Sequence, residues 1–214
     1  MEFKIENTEV YGINKSIIAS GNAMRTEMDD NMIDLSDESN LEKFTKDKKR
    51  AFKLGSTKTG EGHDNFLNGI IVQFDIYAPL FMWKQAQRYH FLDFISSQST
   101  MHRLTKFKVK ECCVEDTDDI ILKRYQELLD DYNNWDNESE SAMLTKYKSK
   151  HKLWRKLVAS LPSGFVLGAT MTTNYRQLKT IYHQRKYHKL EEWHSFCKWC
   201  ESLPYFKELI GLGG

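Results

Sequence analysis

The sequence predicts an α+β fold, and three observations predict it. Apolar residues recur at helical spacing over several long stretches, with Ile121, Tyr125, Leu128, Leu129 and Tyr132 the clearest amphipathic face. Only a few stretches read as strands; the sharpest is Ile70 to Ile76, where Val72-Gln73-Phe74-Asp75-Ile76 alternates apolar and polar residues with period 2. These elements do not alternate in βαβ order, and no Gly-x-Gly-x-x-Gly or Walker-type loop follows a strand, so neither dinucleotide nor P-loop binding of the usual kind is expected.

Taken in order, Phe3 to Ile18 mixes β-branched and polar residues in the manner of strands. Ser36-Asp37-Glu38-Ser39 supplies N-cap oxygens ahead of Leu41, Phe44, Ala51 and Phe52, which predicts a helix ending near Gly55. Ser56 to Glu61 has no apolar period and reads as a loop. After the strand at Ile70 to Ile76, Pro79 opens a helix carrying Phe81, Trp83 and Gln85 to Arg88, since proline fits a first helical turn. A second strand is expected around Lys106 to Val114. The helix over Ile121 to Tyr132 starts behind the acidic pair Asp118-Asp119, whose charge suits a helix N-terminus. Asn133 to Ser141 is a polar break, Ala142 to Val158 a basic helix, Leu161-Pro162-Ser163-Gly164 a turn, and Asn174–Arg185 and His188–Ser202 two further helices.

The chain has 214 residues, a length expected of one domain spanning 1–214. Its 31 Lys+Arg against 30 Asp+Glu leave a net charge of +1, so no global positive field draws it to nucleic acid or an anionic membrane. Its longest apolar runs, such as Phe66–Ile71 and Ala78–Trp83, fall far short of the ~20 residues that span a bilayer. Met1-Glu2-Phe3-Lys4 lacks the apolar core of a signal peptide, so a cytoplasmic location is expected. In that setting Cys112, Cys113, Cys197 and Cys200 are expected as free thiols. Cys197-x-x-Cys200 lacks the second spaced pair that zinc requires, and it shares helical spacing with Trp193 and Phe196, so no metal is expected.

Three polar clusters carry the candidate chemistry. The densest is Gln85-Ala86-Gln87-Arg88-Tyr89-His90 followed by Ser96-Ser97-Gln98-Ser99-Thr100-Met101-His102-Arg103. Guanidinium forks with nearby hydroxyls suit a phosphate or nucleotide; the alternative is a solvated helix end and a polar loop. The second is Asn174-Tyr175-Arg176 with Arg185, His188, Glu191 and Glu192. Nine residues put Arg176 and Arg185 ~180° apart on one helix, able to address two ligands, unless Arg185 and Glu192 simply pair at the surface. The third is Gly62-His63-Asp64 with Phe66, a loop histidine just ahead of the strand.

In order and spacing, these pieces resemble the flavin-dependent thymidylate synthase family. Its signature Arg-His-Arg-x-x-Ser-x-Asn-Glu-x-Ser-x-Arg, its Gly-His before a strand, its Ala-Pro helix start and its later Leu-Pro, Asn-x-Arg, arginine and His-x-x-x-Glu have counterparts here. They are Gly62-His63, Ala78-Pro79, Gln85, Arg88-Tyr89-His90, Ser96 to Arg103, Leu161-Pro162, Asn174-Tyr175-Arg176, Arg185 and His188-x-x-x-Glu192, over roughly Gly62 to Glu192.

The resemblance implies an antiparallel sheet flanked by long helices, and a homotetramer with FAD and dUMP bound at shared sites. It implies NADPH as reductant of the flavin, methylenetetrahydrofolate as carbon donor, and methylation at C5 without a cysteine nucleophile. It places Arg185 as the base-activating residue and Gln85, Ser99, Met101, Arg103 and Arg185 at the nucleotide. His63, Arg88, Tyr89, His90, Gln98, Asn174, Arg176 and His188 take flavin positions.

The departures are specific. The signature's His-Arg is Tyr89-His90, about three residues are inserted before Ser96, Asn-Glu becomes Gln98-Ser99, and the second serine becomes Met101. An arginine expected three residues before the Leu-Pro turn is Val158, and a histidine expected at the strand start is Gly69. Each missing charge-assisted contact is worth ~1.5–3 kcal/mol, so a different C5 transfer such as hydroxymethylation, a cytosine nucleotide as substrate, or an inactive nucleotide- and flavin-binding homologue are the alternatives. The basic helix Lys146–Lys156 is the sole support for nucleic-acid binding, and a solvated helix face explains it as well.

Overall fold

The structure is a computed structural model that describes residues 1–27, 36–137 and 139–212. It is a mixed fold with a four-stranded antiparallel sheet in the order β1-β2-β4-β3. The strands are β1 (Lys4–Tyr11), β2 (Ile71–Pro79), β3 (Asp93–Ser97) and β4 (Val166–Asn174). The helices are α1 (Ile13–Ala19), α2 (Glu38–Gly55), α3 (Leu80–Ala86), α4 (Thr100–Arg103), α5 (Val109–Cys112) and α6 (Asp119–Asn133). They continue with α7 (Glu140–Tyr147), α8 (Lys150–Ala159), α9 (Tyr175–Arg185), α10 (Glu191–Ser202) and α11 (Phe206–Leu209).

Strand β2 forms where the alternation predicts it. Val72, Phe74, Ile76 and Ala78 are buried while the residues between them are not, which is what a half-covered pleated strand requires. Pro79, with φ −69°, ends the strand and caps α3. Asp37 caps α2 by accepting the Ser39 N–H at 2.9 Å. Asp118 caps α6 by accepting the N–H groups of Ile120 and Ile121 at 2.8 and 3.3 Å. Asp118→Ala is expected to cost about 1 kcal/mol of folding stability, read as a lower urea midpoint at constant m-value.

Contacts group the chain into two units. One comprises Met1–Lys4, Ile76–Arg88 and Ile95–Thr170. Its core joins α6 (Tyr125, Leu128, Leu129), α7 (Met143, Tyr147) and α8 (Leu153, Leu157) with Phe165 ahead of β4. The Tyr125 hydroxyl donates to the Leu157 carbonyl at 3.2 Å, so this buried polar atom is satisfied. The other unit comprises Ile5–Asp75, Tyr89–Phe94 and Met171–Gly214. There α9 packs on α10, and α2 on α1 and α11, around Ile17, Phe44, Ala51, Leu178, Trp193, Phe196 and Phe206.

Four expectations are corrected. The strand predicted over Lys106 to Val114 is a 3-10 turn at Leu104–Lys106 followed by helix α5, with only Cys113 bridging to Phe165. Val109 and Cys113 are the buried pair, four residues apart, so the period that decides is helical; the lysines at 106, 108 and 110 merely imitate alternation. The strand-like run Phe3 to Ile18 turns at Gly12, φ 76°, into α1; a side chain there would strike the Gly69 carbonyl. The basic helix divides at Lys148, φ 68°, and Ser149 starts α8 by accepting the Lys152 N–H at 3.2 Å. Finally, β3 and β4 were not anticipated from the pattern: β3 is exposed at all five residues and so carries no alternation, and in β4 the small neighbours Gly168 and Ala169 are buried in succession and break it.

Candidate active site

The polar segment after β3 builds a basic cleft. Gln98 leaves the strand with its backbone N–H donating to the Gly168 carbonyl and its side-chain Oε1 accepting the Gly168 N–H, both at 2.9 Å. Those two bonds fix the residue against β4. Ser99 then caps α4, its Oγ accepting the His102 backbone N–H at 3.2 Å and lying 2.9 Å from His102 Nδ1. One turn presents His102 and Arg103, and Lys106 and Phe107 follow. Gln98, Ser99, His102, Arg103, Lys106 and Phe107 line a cleft of about 480 Å³. None of the six is acidic, and Phe107 is held edge-on to Phe165 at a centroid distance of 5.2 Å. A cleft with cations, amide and hydroxyl on an aromatic floor suits an anionic, partly apolar ligand.

A second grouping surrounds Arg185 at the C-terminal end of α9. Its Nε donates to the Tyr89 hydroxyl at 2.6 Å, and Tyr89 donates in turn to Gln184 Oε1 at 3.1 Å. The guanidinium carbon stands 5.3 Å from the Tyr89 ring centre and 4.8 Å from that of Trp193. Two aromatic faces and one hydroxyl therefore set the plane of this cation. His188 follows, its ring edge-on to Trp193 and its Nδ1 accepting the Leu190 N–H at 3.1 Å. Burial, reinforced by Arg185 and His194, holds His188 below the ordinary 6.5. It is thus a neutral ring at neutral pH.

A third grouping stands on α9 one face away. Asp64 is 0% exposed; its Oδ1 accepts Arg176 Nε at 3.2 Å and its Oδ2 accepts Lys179 Nζ at 2.8 Å. Lys179, 2% exposed, also donates to the carbonyls of Gly55 and Thr57 at 2.8 and 2.6 Å. Arg176 keeps a third of its side chain exposed. Asn174 caps α9 by accepting the Gln177 N–H at 2.9 Å.

The structure thus gathers Gln98, Ser99 and Arg103 in the cleft, and Tyr89, Arg185 and His188 around Trp193. His63 sits exposed in the loop beside Asp64, while Gln85 is partly exposed on the last turn of α3. Arg88 and His90 are exposed beyond α3, Arg88 donating its N–H to the Gln85 carbonyl. Met101 lies on α4, 50% exposed. Sequence reasoning named His102 only within the polar run and Trp193 only as a helically spaced apolar residue, and it gave Lys106 and Lys179 no site role. The signal for Lys179 was its place three residues after Arg176, on the same helix face.

Relationships to known proteins rest on structure. No protein-family model matches the chain, and no curated protein matches its sequence. The flavin-dependent thymidylate synthase ThyX of Helicobacter pylori, solved with FAD and dUMP, superposes with a TM-score of 0.65 at 15% identity, over 98% of this chain and 97% of that chain. A second structure of that enzyme, also with FAD and dUMP, gives 0.63 at 15% identity and covers 100% of both. The chain has the flavin-dependent thymidylate synthase fold. The UMP/dUMP methylase PolB of Streptomyces cacaoi, bound with 5-Br dUMP, shares it with a TM-score of 0.60 at 12% identity, over 98% of this chain and 95% of that one. Among the described residues of this flavin-dependent thymidylate synthase-like chain, no helix is long and apolar enough to cross a membrane and no His/Cys/Asp/Glu group gathers to hold a metal.

Proposed function

We propose that the protein transfers a one-carbon unit from methylenetetrahydrofolate to C5 of a pyrimidine deoxynucleotide, by default methylating dUMP with FAD as cofactor and NADPH as reductant. The observation that carries the reading is the acid-free cleft at Gln98 to Phe107, on a fold of which two similar structures were solved with FAD and dUMP.

The chain's own groups fit both ligands. At the nucleotide, Arg103 and Lys106 supply charge to the phosphate and Ser99 a hydroxyl, and Gln85, partly exposed on α3, is assigned to add an amide. Arg185 draws electron density from the pyrimidine, a task that needs a cation fixed in place before the charge develops, as the Tyr89 and Trp193 contacts fix it. For FAD, the donor set is what a diphosphate and an isoalloxazine edge require. Arg88 is exposed, Arg176 is anchored on its Nε side by Asp64 with part of its side chain outward, and His63, His90, Gln98, Asn174 and His188 add hydrogen-bonding groups. When bound, the flavin supplies the hydride that completes the methyl group. A homotetramer with shared active sites in the cytoplasm belongs to this reading. The support in this chain is the edge strand β3, exposed along its length, with Phe94 44% and Ile95 51% exposed.

Reconstitution with FAD is expected to give a yellow protein that releases tritium from C5-labelled dUMP when methylenetetrahydrofolate and NADPH are supplied. A protein that stays colourless after reconstitution overturns the proposal. A second reading, hydroxymethyl transfer or a dCMP substrate, draws on Ser99 in place of a carboxylate and on Val158, which packs against the α6–α8 core where an arginine was expected. Product masses from dUMP and dCMP separate the two. A flavin-binding homologue without catalysis would show the flavin spectrum but no tritium release.

A further inference from the structure

We propose that His102 is a nucleotide-binding residue that selects a phosphorylated substrate, donating a hydrogen bond from Nε2 in place of the serine hydroxyl that Met101 has removed. The inference rests on the functional reading above and deepens it. His102 falls at an unspecified position of the family signature, between Met101 and Arg103. The Ser99 Oγ accepts the His102 backbone N–H at 3.2 Å and lies 2.9 Å from His102 Nδ1, so the hydroxyl holds that edge of the ring and leaves Nε2 for a ligand. In the tautomer in which the hydroxyl donates to Nδ1, the ring hydrogen sits on Nε2. Gln98 is biased the same way: its Oε1 is taken by the Gly168 N–H, which leaves the NH2 end for a ligand. Gln98, His102, Arg103 and Lys106 therefore all present donors to one cleft, and no carboxylate lines it. Donors alone favour an acceptor-rich dianion over a neutral sugar hydroxyl.

The test is titration calorimetry of the FAD-loaded protein with dUMP, deoxyuridine and inorganic phosphate as probes. His102→Ala is expected to weaken dUMP binding about 10- to 100-fold, the worth of one hydrogen bond to a charged group. Deoxyuridine binding should stay unchanged. His102→Gln, which keeps a terminal N–H donor, should recover part of the loss, whereas His102→Phe, which keeps only the ring, should not. Equal dUMP affinity in His102→Ala and the parent overturns the inference, as does an equal loss for deoxyuridine. If the parent binds inorganic phosphate in a His102-dependent way but does not bind dUMP, the anion site stands and the nucleotide reading falls. If the parent binds neither, both fall.

Discussion

Arg185→Lys is expected to lower kcat for C5 transfer by about 10²- to 10³-fold while leaving FAD content intact. The charge survives this exchange, but its placement does not. In the parent, the Nε donates to the Tyr89 hydroxyl at 2.6 Å, and the flat cation lies against the rings of Tyr89 and Trp193. An ammonium has no planar face to stack and no Nε at that position on the chain, so it samples several rotamers. A cation that must reorient as charge builds on the pyrimidine stabilises the transition state less than one already in place. The loss should appear in kcat and kcat/KM alike, the pattern of an interaction made chiefly in the transition state. Steady-state rates on dUMP, normalised to flavin absorbance, check it. An unaltered kcat would show that Arg185 is a structural cation and remove it from the reaction.

Lys179→Met is expected to destabilise the fold by about 3–5 kcal/mol, the cost of leaving one member of a buried ion pair alone. Asp64 has no exposed surface, so its carboxylate, stripped of Lys179, keeps among the described residues only the Arg176 contact. The carbonyls of Gly55 and Thr57 lose their donor at the same time. The double variant Asp64→Asn/Lys179→Met should recover part of the loss, because it removes the orphaned charge. Urea unfolding followed by circular dichroism measures both. A midpoint for Lys179→Met equal to the parent's would mean that water satisfies these groups. Because Asp64 adjoins His63 and grips Arg176, the same substitution is expected to reach two flavin-assigned positions through one buried contact.

What the sequence revealed follows from physics that acts locally. Asp37 and Asp118 sit where helix starts need acceptors, and β2 alternates because one face is covered. The break at Lys148 was hidden because a left-handed lysine leaves no compositional trace, unlike the glycine usually found at positive φ. Strand β3 was hidden because an edge strand exposed on both faces has no pattern to show. At the site, Gln98, Ser99 and Arg103 were legible as one polar run, which the structure brings to a single cleft. Lys179 was not, since a lysine is read as solvated and only the fold brings Asp64 and the Gly55 and Thr57 carbonyls around it.

The four cysteines limit the chemistry in a way their number does not suggest. Burial pushes the thiols of Cys113 and Cys197 up to about 11, that of Cys200 well above its ordinary value, and that of Cys112 upward too. At neutral pH a thiol at about 11 is ionised in only about one molecule in ten thousand. Thiolate addition at C6 of a pyrimidine therefore has no ready nucleophile in Cys113, Cys197 or Cys200, and the partly buried Cys112 is shifted in the same direction. Inhibitors that mimic charge and shape suit such a chain better than electrophiles that disarm thiol enzymes.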